Sequence, residues 1–291
     1  MGNNIFRNEL NKIFSEAQSE KRRYKDIFDF ELVDYVKETI IPNKAKLPLL
    51  YRYSPADYNN IRNIEKEELF LSDIRSMNDI FEGVTTHVSE DFISHLDDLK
   101  GIAYCKSFTE NKNDLLMWSH YADEYRGMCV EYDLSKLSEN ILYHLFPVIY
   151  QEQKINSNFY NYALESYADY LKMIEEQNEP NNPEDLLDIL SKFIIKSRCW
   201  KEENEWRIIA AHIHIYDEAE RFDDAAVELY NLESNLISVK NCIKTIYLGP
   251  QMPNNKKEHL KEIARKIGNI DVYEAKMSPH EFKLDLEKCK Q

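Results

Sequence analysis

LLYRYSPADYNNIRNIEKEELFLS, residues 49–72, is the stretch that decides how this chain folds. Residues 49–53 are aromatic and aliphatic in the manner of a strand. Ser54 then stands where a helix cap belongs, with Pro55 at the first helical position, where a missing N–H is no loss. A helix over 55–66 follows, with Tyr58, Ile61 and Ile64 on one face, and the short apolar run 69–72 reads as a strand again. Working outward, strands are expected at 102–108, 128–132, 146–150, 206–211, 243–248 and 270–275, all rich in aromatic or aliphatic residues. Helices are expected at 158–178 and at 183–197, the second entered by Asn182-Pro183-Glu184-Asp185. Strands and helices do not alternate strictly. The expected fold is therefore α+β, a mixed β-sheet core flanked by helices.

Upstream, Phe6, Leu10, Ile13, Phe14 and Ala17 form one apolar stripe and Leu32, Val33, Val36 and Ile40 another. Pro42 ends the second, and PNKAKLP, residues 42–48, reads as a connector. An N-terminal helical hairpin over 1–46 and a single α+β domain over 47–291 are expected.

A chain of 291 residues buries about three quarters of its unfolded surface, enough for a core that needs neither disulfide nor metal. No apolar run reaches the ~20 residues of a membrane helix, and the acids in MGNNIFRNELNKIFSEAQ argue against a secretory signal. Met1-Gly2 lacks the Ser or Thr at position 6 that a myristoylation signal wants. A cytoplasmic protein is expected, without membrane attachment. The cysteines at 105, 129, 199, 242 and 289 include no CxxC pair, the pattern of reduced thiols packed as small hydrophobes.

A formal net charge of −15 opposes non-specific nucleic-acid binding, which rests on Lys and Arg neutralising phosphates. Lys192, Lys196, Arg198 and Lys201 form the best basic cluster, which a solvated helix end explains more simply. Six glycines leave no GxGxxG, GxxxxGK or GxSxG, so the usual Rossmann, P-loop and α/β-hydrolase signatures are excluded.

Two stretches carry candidate chemistry. SFTENKNDLLMWSHYADEYRGMCVEYD, residues 107–133, crowds Trp118, His120, Tyr121 and Tyr125 around one short helix, a mix that a plain core would not need. Packing offers the plainer account, with Leu115, Trp118 and Ala122 turned inward at spacings of three and four while Ser119 and His120 point elsewhere. His120 is still the best general acid/base candidate on its unperturbed pKa. In WKEENEWRI, residues 200–208, alternation puts Glu205 and Arg207 on one strand face, where an ion pair would explain both. Glu202, Glu203 and Glu205 also crowd three carboxylates, which raise one another's pKa. Asn78-Asp79 reads as a turn, Glu82 as a loop acid, and His212 with His214 as a strand pair lacking any metal motif. No metal site is expected.

LYRYS, SMNDIFEG, the SFTE to WSHYAD stretch and WKEENEWRI occur in an order that resembles the recurrent blocks of a bacterial family, domain of unknown function 2971. Ile80 departs from that pattern, which has proline after Asn-Asp. A second resemblance is to the ADP-ribosyltransferase superfamily, particularly its DNA-modifying toxins: an arginine on a first strand, then a helix and a strand, and much later a glutamate opening another strand. It implies an NAD-dependent enzyme acting as a toxin or phage-defence effector on a nucleic-acid or protein acceptor. Glu205 would then stabilise the oxocarbenium-like ribose, and Arg52 would hold the pyrophosphate or adjoining ribose. Tyr51, Tyr53 or Trp118 would stack on nicotinamide. Without that cofactor role, Arg52 is explained equally by an ion pair with one of the many acids.

Two other functions stay open. One is a non-catalytic sensor or protein-binding module of a bacterial defence system, using the 107–133 surface and the N-terminal helices for a protein partner. The other is a metal-dependent nuclease that gathers Mg²⁺ on the acids around Glu82 and Glu205.

Overall fold

A computed structural model describes residues 5–19, 34–77, 79, 103–152, 192–211 and 235–290 of the chain. Helix α1 (Ile5–Ser19) opens it and buries Phe6, Leu10 and Phe14, the expected stripe. Residues 36–40 form a wide π-type turn that buries Val36 and Ile40, so the second stripe also faces inward where it is described. Leu32 and Val33 lie outside the described residues. Phe6 meets Trp206 edge-on at 5.7 Å. The N-terminal apolar face is thus part of the main core.

Strand β1 (Leu50–Ser54) is followed by helix α2 (Tyr58–Glu65), then β2 (Glu68–Phe70) and β3 (Ser72–Asp73). The strand, helix, strand reading holds, with two shifts. The cap is Asp57 and not Ser54, because the Asp57 carboxylate accepts the Asn60 N–H at 2.8 Å while Ser54 stays in the strand. Tyr58, expected on the inner face, is exposed because it is the first helical residue; Ile64 alone is buried.

Strand β4 (Ala103–Thr109), helix α3 (Leu115–Tyr121), β5 (Met128–Tyr132), a short α4 (Glu139–Leu142), β6 (Leu145–Pro147) and β7 (Ile149–Gln151) follow. Then come β8 (Ile195–Ser197), β9 (Glu205–Ala211), β10 (Leu236–Ser238), β11 (Ile243–Leu248), α5 (Asn254–Ile267), β12 (Asp271–Met277) and β13 (Leu284–Lys288). Among the described residues the main sheet has nine strands, in the order β13-β12-β11-β5-β1-β4-β9-β6, with β3 also on β4. β11 and β12 are parallel, joined through α5, and the other pairs of this sheet are antiparallel. The fold is α+β around a mixed sheet.

The expected strand at 146–150 is two strands, β6 on β9 and β7 on β8. The helix expected at 183–197 fails at its described end, where residues 192–194 are a 3₁₀ turn and β8 pairs with β7. A short apolar run does not reveal its type by periodicity, and here Lys196 is pulled inward by buried acids. The helix expected at 158–178 lies outside the described residues. No described helix is long and apolar enough to cross a membrane.

Gly127 and Gly249 weld β5 to β11. A Cβ on Gly127 would sit 2.3 Å from the Ser54 carbonyl oxygen and 2.8 Å from the Ala122 carbonyl, so the chains approach where only hydrogen fits. The turn before it runs through Asp123, Glu124 and Tyr125 at φ of 48°, 51° and 69°. These three consecutive left-handed residues are held there by bonds such as Gly127 N–H to Ala122 O at 2.7 Å. Gly127→Ala should therefore cost at least the ~1–3 kcal/mol of an overpacked core. Chemical denaturation checks this; a variant as stable as the parent would show that the close approach is not binding on the fold.

Candidate functional site

Strand β4 has one continuous partner and one interrupted edge. β9 pairs with it along its whole length, from Ala103 with Ala211 to Thr109 with Glu205. On the other side β1 is in register only at Tyr51 with Thr109, and β3 only at Ser72 with Cys105 and Asp73 with Tyr104. Lys106, Ser107 and Phe108 are left without a strand partner on that edge. A cavity of about 190 Å³ occupies the gap, and Arg52 and Glu205 both line it. Tyr51, Tyr53, Lys106, Tyr121, Lys196, Trp200 and Glu203 are among the other walls.

Alternation explains how two opposed sheet faces meet in one hollow. Tyr51, Tyr53, Ser107, Thr109, Glu205 and Arg207 share one face by register, and Arg52, Lys106, Phe108 and Trp206 share the other. Where the strands part, Arg52, Lys106 and Phe108 of the second set line the same space as the first. Arg52 spans the gap, donating from Nη1 to the Ser107 carbonyl oxygen at 3.2 Å. It thereby satisfies an edge acceptor that a strand would otherwise cover.

Glu205 is fixed in backbone and side chain alike. Asn204 precedes it in the left-handed region at φ 46°, a conformation Asn tolerates, and turns the chain from the 198–203 helical segment into β9. The Glu205 N–H donates to the Tyr150 hydroxyl at 2.8 Å, and its carbonyl accepts Val148 N–H at 2.9 Å and Arg7 Nη2 at 3.1 Å. Its carboxylate accepts Arg207 Nε at 2.7 Å on Oε1, and Arg207 Nη2 and Lys196 Nζ at 3.0 Å each on Oε2. The expected Glu205–Arg207 ion pair is therefore present. Burial alone would raise the pKa of this carboxyl, but the charges of Arg207 and Lys196 outweigh it and hold it down at about 2. The expected mutual raising by neighbouring acids is overturned, because Lys196 sits between Glu205 and Glu203, 2.7 Å from the latter. Lys196 also lies 4.9 Å from the Trp200 ring centre. Far from being a solvated helix end, it is buried.

The 107–133 stretch serves as scaffold around this cavity. Asp114 caps α3, accepting Leu116 N–H at 2.8 Å and Met117 N–H at 3.2 Å. The Tyr53 hydroxyl accepts Asp114 N–H and donates to Asn111 O, both at 3.1 Å. Trp118, offered as a stacking surface, is 1% exposed, sits edge-on to Tyr53 at 5.2 Å and stands behind the cavity wall. His120, offered as acid/base, is exposed and off the cavity, because helical phase turns it away when Trp118 turns in. Tyr121 does reach the site, donating to Glu203 Oε1 at 2.6 Å. Asn78, Ile80 and Glu82 lie outside the described residues, as do His212 and His214; Asp79 is buried and lines the cavity.

Lys106 escaped the sequence reading. It is 5% exposed on an interior strand, and among the described residues no hydrogen bond or ion pair engages its ammonium. Burial, reinforced by neighbouring Arg52, lowers its pKa to about 6. The available signal was a lysine inside the apolar run AYCKSFT, since buried lysines are rare unless paired. No grouping of three or more His, Cys, Asp or Glu side chains suited to a metal occurs among the described residues.

Residues 117–208 match the model of the family described as Protein of unknown function (DUF2971). The resemblance drawn from the sequence blocks is thereby shown, over the segment that includes WSHYA and WKEENEWRI. No curated protein and no solved structure matches the chain.

The buried pair makes stability depend on acid. With a folded pKa of about 2 against an ordinary 4.5, the Glu205 contribution is whole above pH 4.5 and fades as pH falls to about 2. Its size is roughly 3 kcal/mol. Glu205→Gln should lower stability at pH 7 by about 3–5 kcal/mol, leaving Arg207 without its counter-charge. It should also flatten the stability change between pH 4.5 and 2. Denaturant titrations across that range decide; a Gln variant with the parent's acid sensitivity would place the titrating group elsewhere.

Proposed function

We propose that this chain is an ADP-ribosyltransferase-like enzyme that takes NAD in the cavity between β1 and β4. The observation that carries the reading is that Arg52 and Glu205, far apart in sequence, line one hollow. That hollow offers the two charges such chemistry needs. Arg52 has no carboxylate partner among the described residues, so its fork of donors is available for a pyrophosphate. Glu205 is a carboxylate ionised throughout the physiological range and immobilised by Arg207 and Lys196.

Loss of nicotinamide leaves positive charge on the ribose, and a preorganised carboxylate stabilises such charge without reorganising as it develops. The depressed pKa suits Glu205 to that electrostatic role and unsuits it to proton shuttling. Tyr51 and Tyr53 supply the aromatic walls for a nicotinamide or adenine ring. Neither His120 nor Trp118 has a part in this version of the site. Of the acids a nuclease would use, Glu205 meets Lys196 and Arg207 and the neighbouring Glu203 meets Lys196, while Glu82 lies outside the described residues.

Incubation with NAD labelled in the nicotinamide ring, with and without cellular nucleic acid and protein acceptors, tests the proposal. Release of nicotinamide is expected. It should fall at least 100-fold in Glu205→Gln assayed where its melting curve shows it folded, and at least 10-fold in Arg52→Lys. His120→Gln should match the parent. A folded parent protein that leaves NAD intact with every acceptor, or a Glu205→Gln variant as active as the parent, contradicts it.

A further inference from the structure

Two basic side chains on the cavity floor, Arg52 and Lys106, form no ion pair among the described residues. Arg52 makes one described bond, to a neutral carbonyl, and Lys106 makes none. Two acids nearby are already committed, since Glu205 carries Arg207 and Lys196, and Glu203 carries Lys196 and the Tyr121 hydroxyl; a third, Asp79, lines the same cavity without bonding to Arg52 or Lys106. Burying one charge without a partner is unfavourable, and a second of the same sign beside it is disfavoured enough that burial and Arg52 hold the Lys106 amine largely unprotonated while the site is empty. Surface lysines and arginines find water, but Lys106 is 5% exposed and sits on an interior strand between β1 and β9. Hydrophobic residues at 52 and 106 would pack this sheet more stably. Such a pair makes physical sense when something from outside brings negative charge.

We propose that Arg52 and Lys106 form a receptor for the phosphate or pyrophosphate group of a small-molecule ligand. A planar guanidinium matches a phosphoryl group through two parallel N–H donors, and an ammonium adds a point charge that turns freely toward a third oxygen. A guanidinium beside an amine that takes up its proton as the ligand seats calls for an anion of more than one charge, which separates phosphates from carboxylates. The hydroxyl-bearing Ser72, Ser76 and Thr109 line the same cavity and extend the donor set. At about 190 Å³ the hollow suits a phosphate group with part of a sugar, while the remainder of a larger ligand extends outward.

Binding carries a proton signature. The titratable groups that line the hollows around Lys106 are Tyr51, Arg52 and Tyr53 from β1, Cys105 beside it on β4, Tyr121 from α3, Tyr132 from β5, Asp79 from the segment after β3, and the ion-paired Lys196, Glu203 and Glu205. Arg52 and burial disfavour its charged form in the empty site, so the amine is mostly neutral at pH 7. An arriving phosphate reverses that balance, and the amine takes up a proton as the anion seats. The same linkage makes the empty protein gain stability as pH rises from about 6, relative to a variant without the amine. Through that window the unfolded chain binds the proton that the folded chain does not.

Arg52 is shared with the proposed NAD reading, but the test uses pyrophosphate, which has no nicotinamide to lose. A protein that binds pyrophosphate and spares NAD would uphold this receptor and sink that reading. Isothermal titration of the full chain with sodium pyrophosphate at pH 7, in buffers of different ionisation enthalpy and with sodium chloride at matched ionic strength as control, gives affinity and proton count together. Inorganic phosphate and ADP-ribose, run in parallel, separate a free-phosphate site from one that wants the attached sugar. The expected result is pyrophosphate binding in which the parent takes up more protons, by up to about one, than a variant without the amine, since pyrophosphate's own ionisation near pH 7 adds to both. Affinity should fall at least 10-fold in Arg52→Met and Lys106→Met, and the latter should lose that extra proton uptake. Lys106→Gln repeats the test should the Met variant fold poorly. Absence of pyrophosphate binding, or binding with unchanged affinity and proton uptake in a folded Lys106 variant, overturns the proposal.

Discussion

The Arg52 guanidinium donates to the Ser107 carbonyl across a break in the sheet, and the candidate site depends on that break. Strand β4 is satisfied by β9 on one side, whereas β1 and β3 share its other edge and leave the middle open. A closed sheet would keep Arg52 and Glu205 on opposite faces, out of reach of a common ligand. With the edge interrupted, side chains of both faces line a single hollow.

Around the opening, the protein divides its charges into two kinds. Lys196, Glu203, Glu205 and Arg207 compensate one another in a buried network whose geometry holds Glu205 ionised and still. A network of that kind contributes little net stability compared with apolar packing, yet removing one member is costly, so it acts as a rigid frame. Arg52 and Lys106 are outside it. Neither is ion-paired with a described acid, although Asp79 lines the same cavity, and this gives the hollow an appetite for anions that the net charge of −15 would never suggest. The chain as a whole repels polyanions while one pocket attracts a small one, a combination that screens long nucleic acid from phosphate-bearing metabolites.

Much of this architecture was legible in residue order. Residues 128–132 and 243–248 coincide with β5 and β11 because each is a short, largely apolar run of the kind an interior strand buries on both faces. Glu205 at the mouth of a strand, paired with Arg207, followed from the two-residue period. Elsewhere tertiary contacts overrode local pattern. Lys196 reads as a surface helix residue until its acids, supplied by positions 203 and 205, are known. The 107–133 stretch drew attention for the right density and the wrong reason. Trp118, Tyr53 and Tyr125 brace α3, the last by donating to the Leu115 carbonyl at 3.1 Å, and only Tyr121 and Met117 of that helix reach the cavity. Lys106 stands out in residue order only as a lysine inside an apolar run, whereas the break beside it, which opens a cavity at its amine, has no local signature.

A crystal structure of the protein with ADP-ribose tests the central claim most directly. The account predicts a phosphate oxygen within hydrogen-bond distance of both the Arg52 guanidinium and the Lys106 amine, in the gap beside β4, with the ribose turned toward Glu205. ADP-ribose seated elsewhere on the molecule, or a bound phosphate that leaves Lys106 untouched, would contradict it.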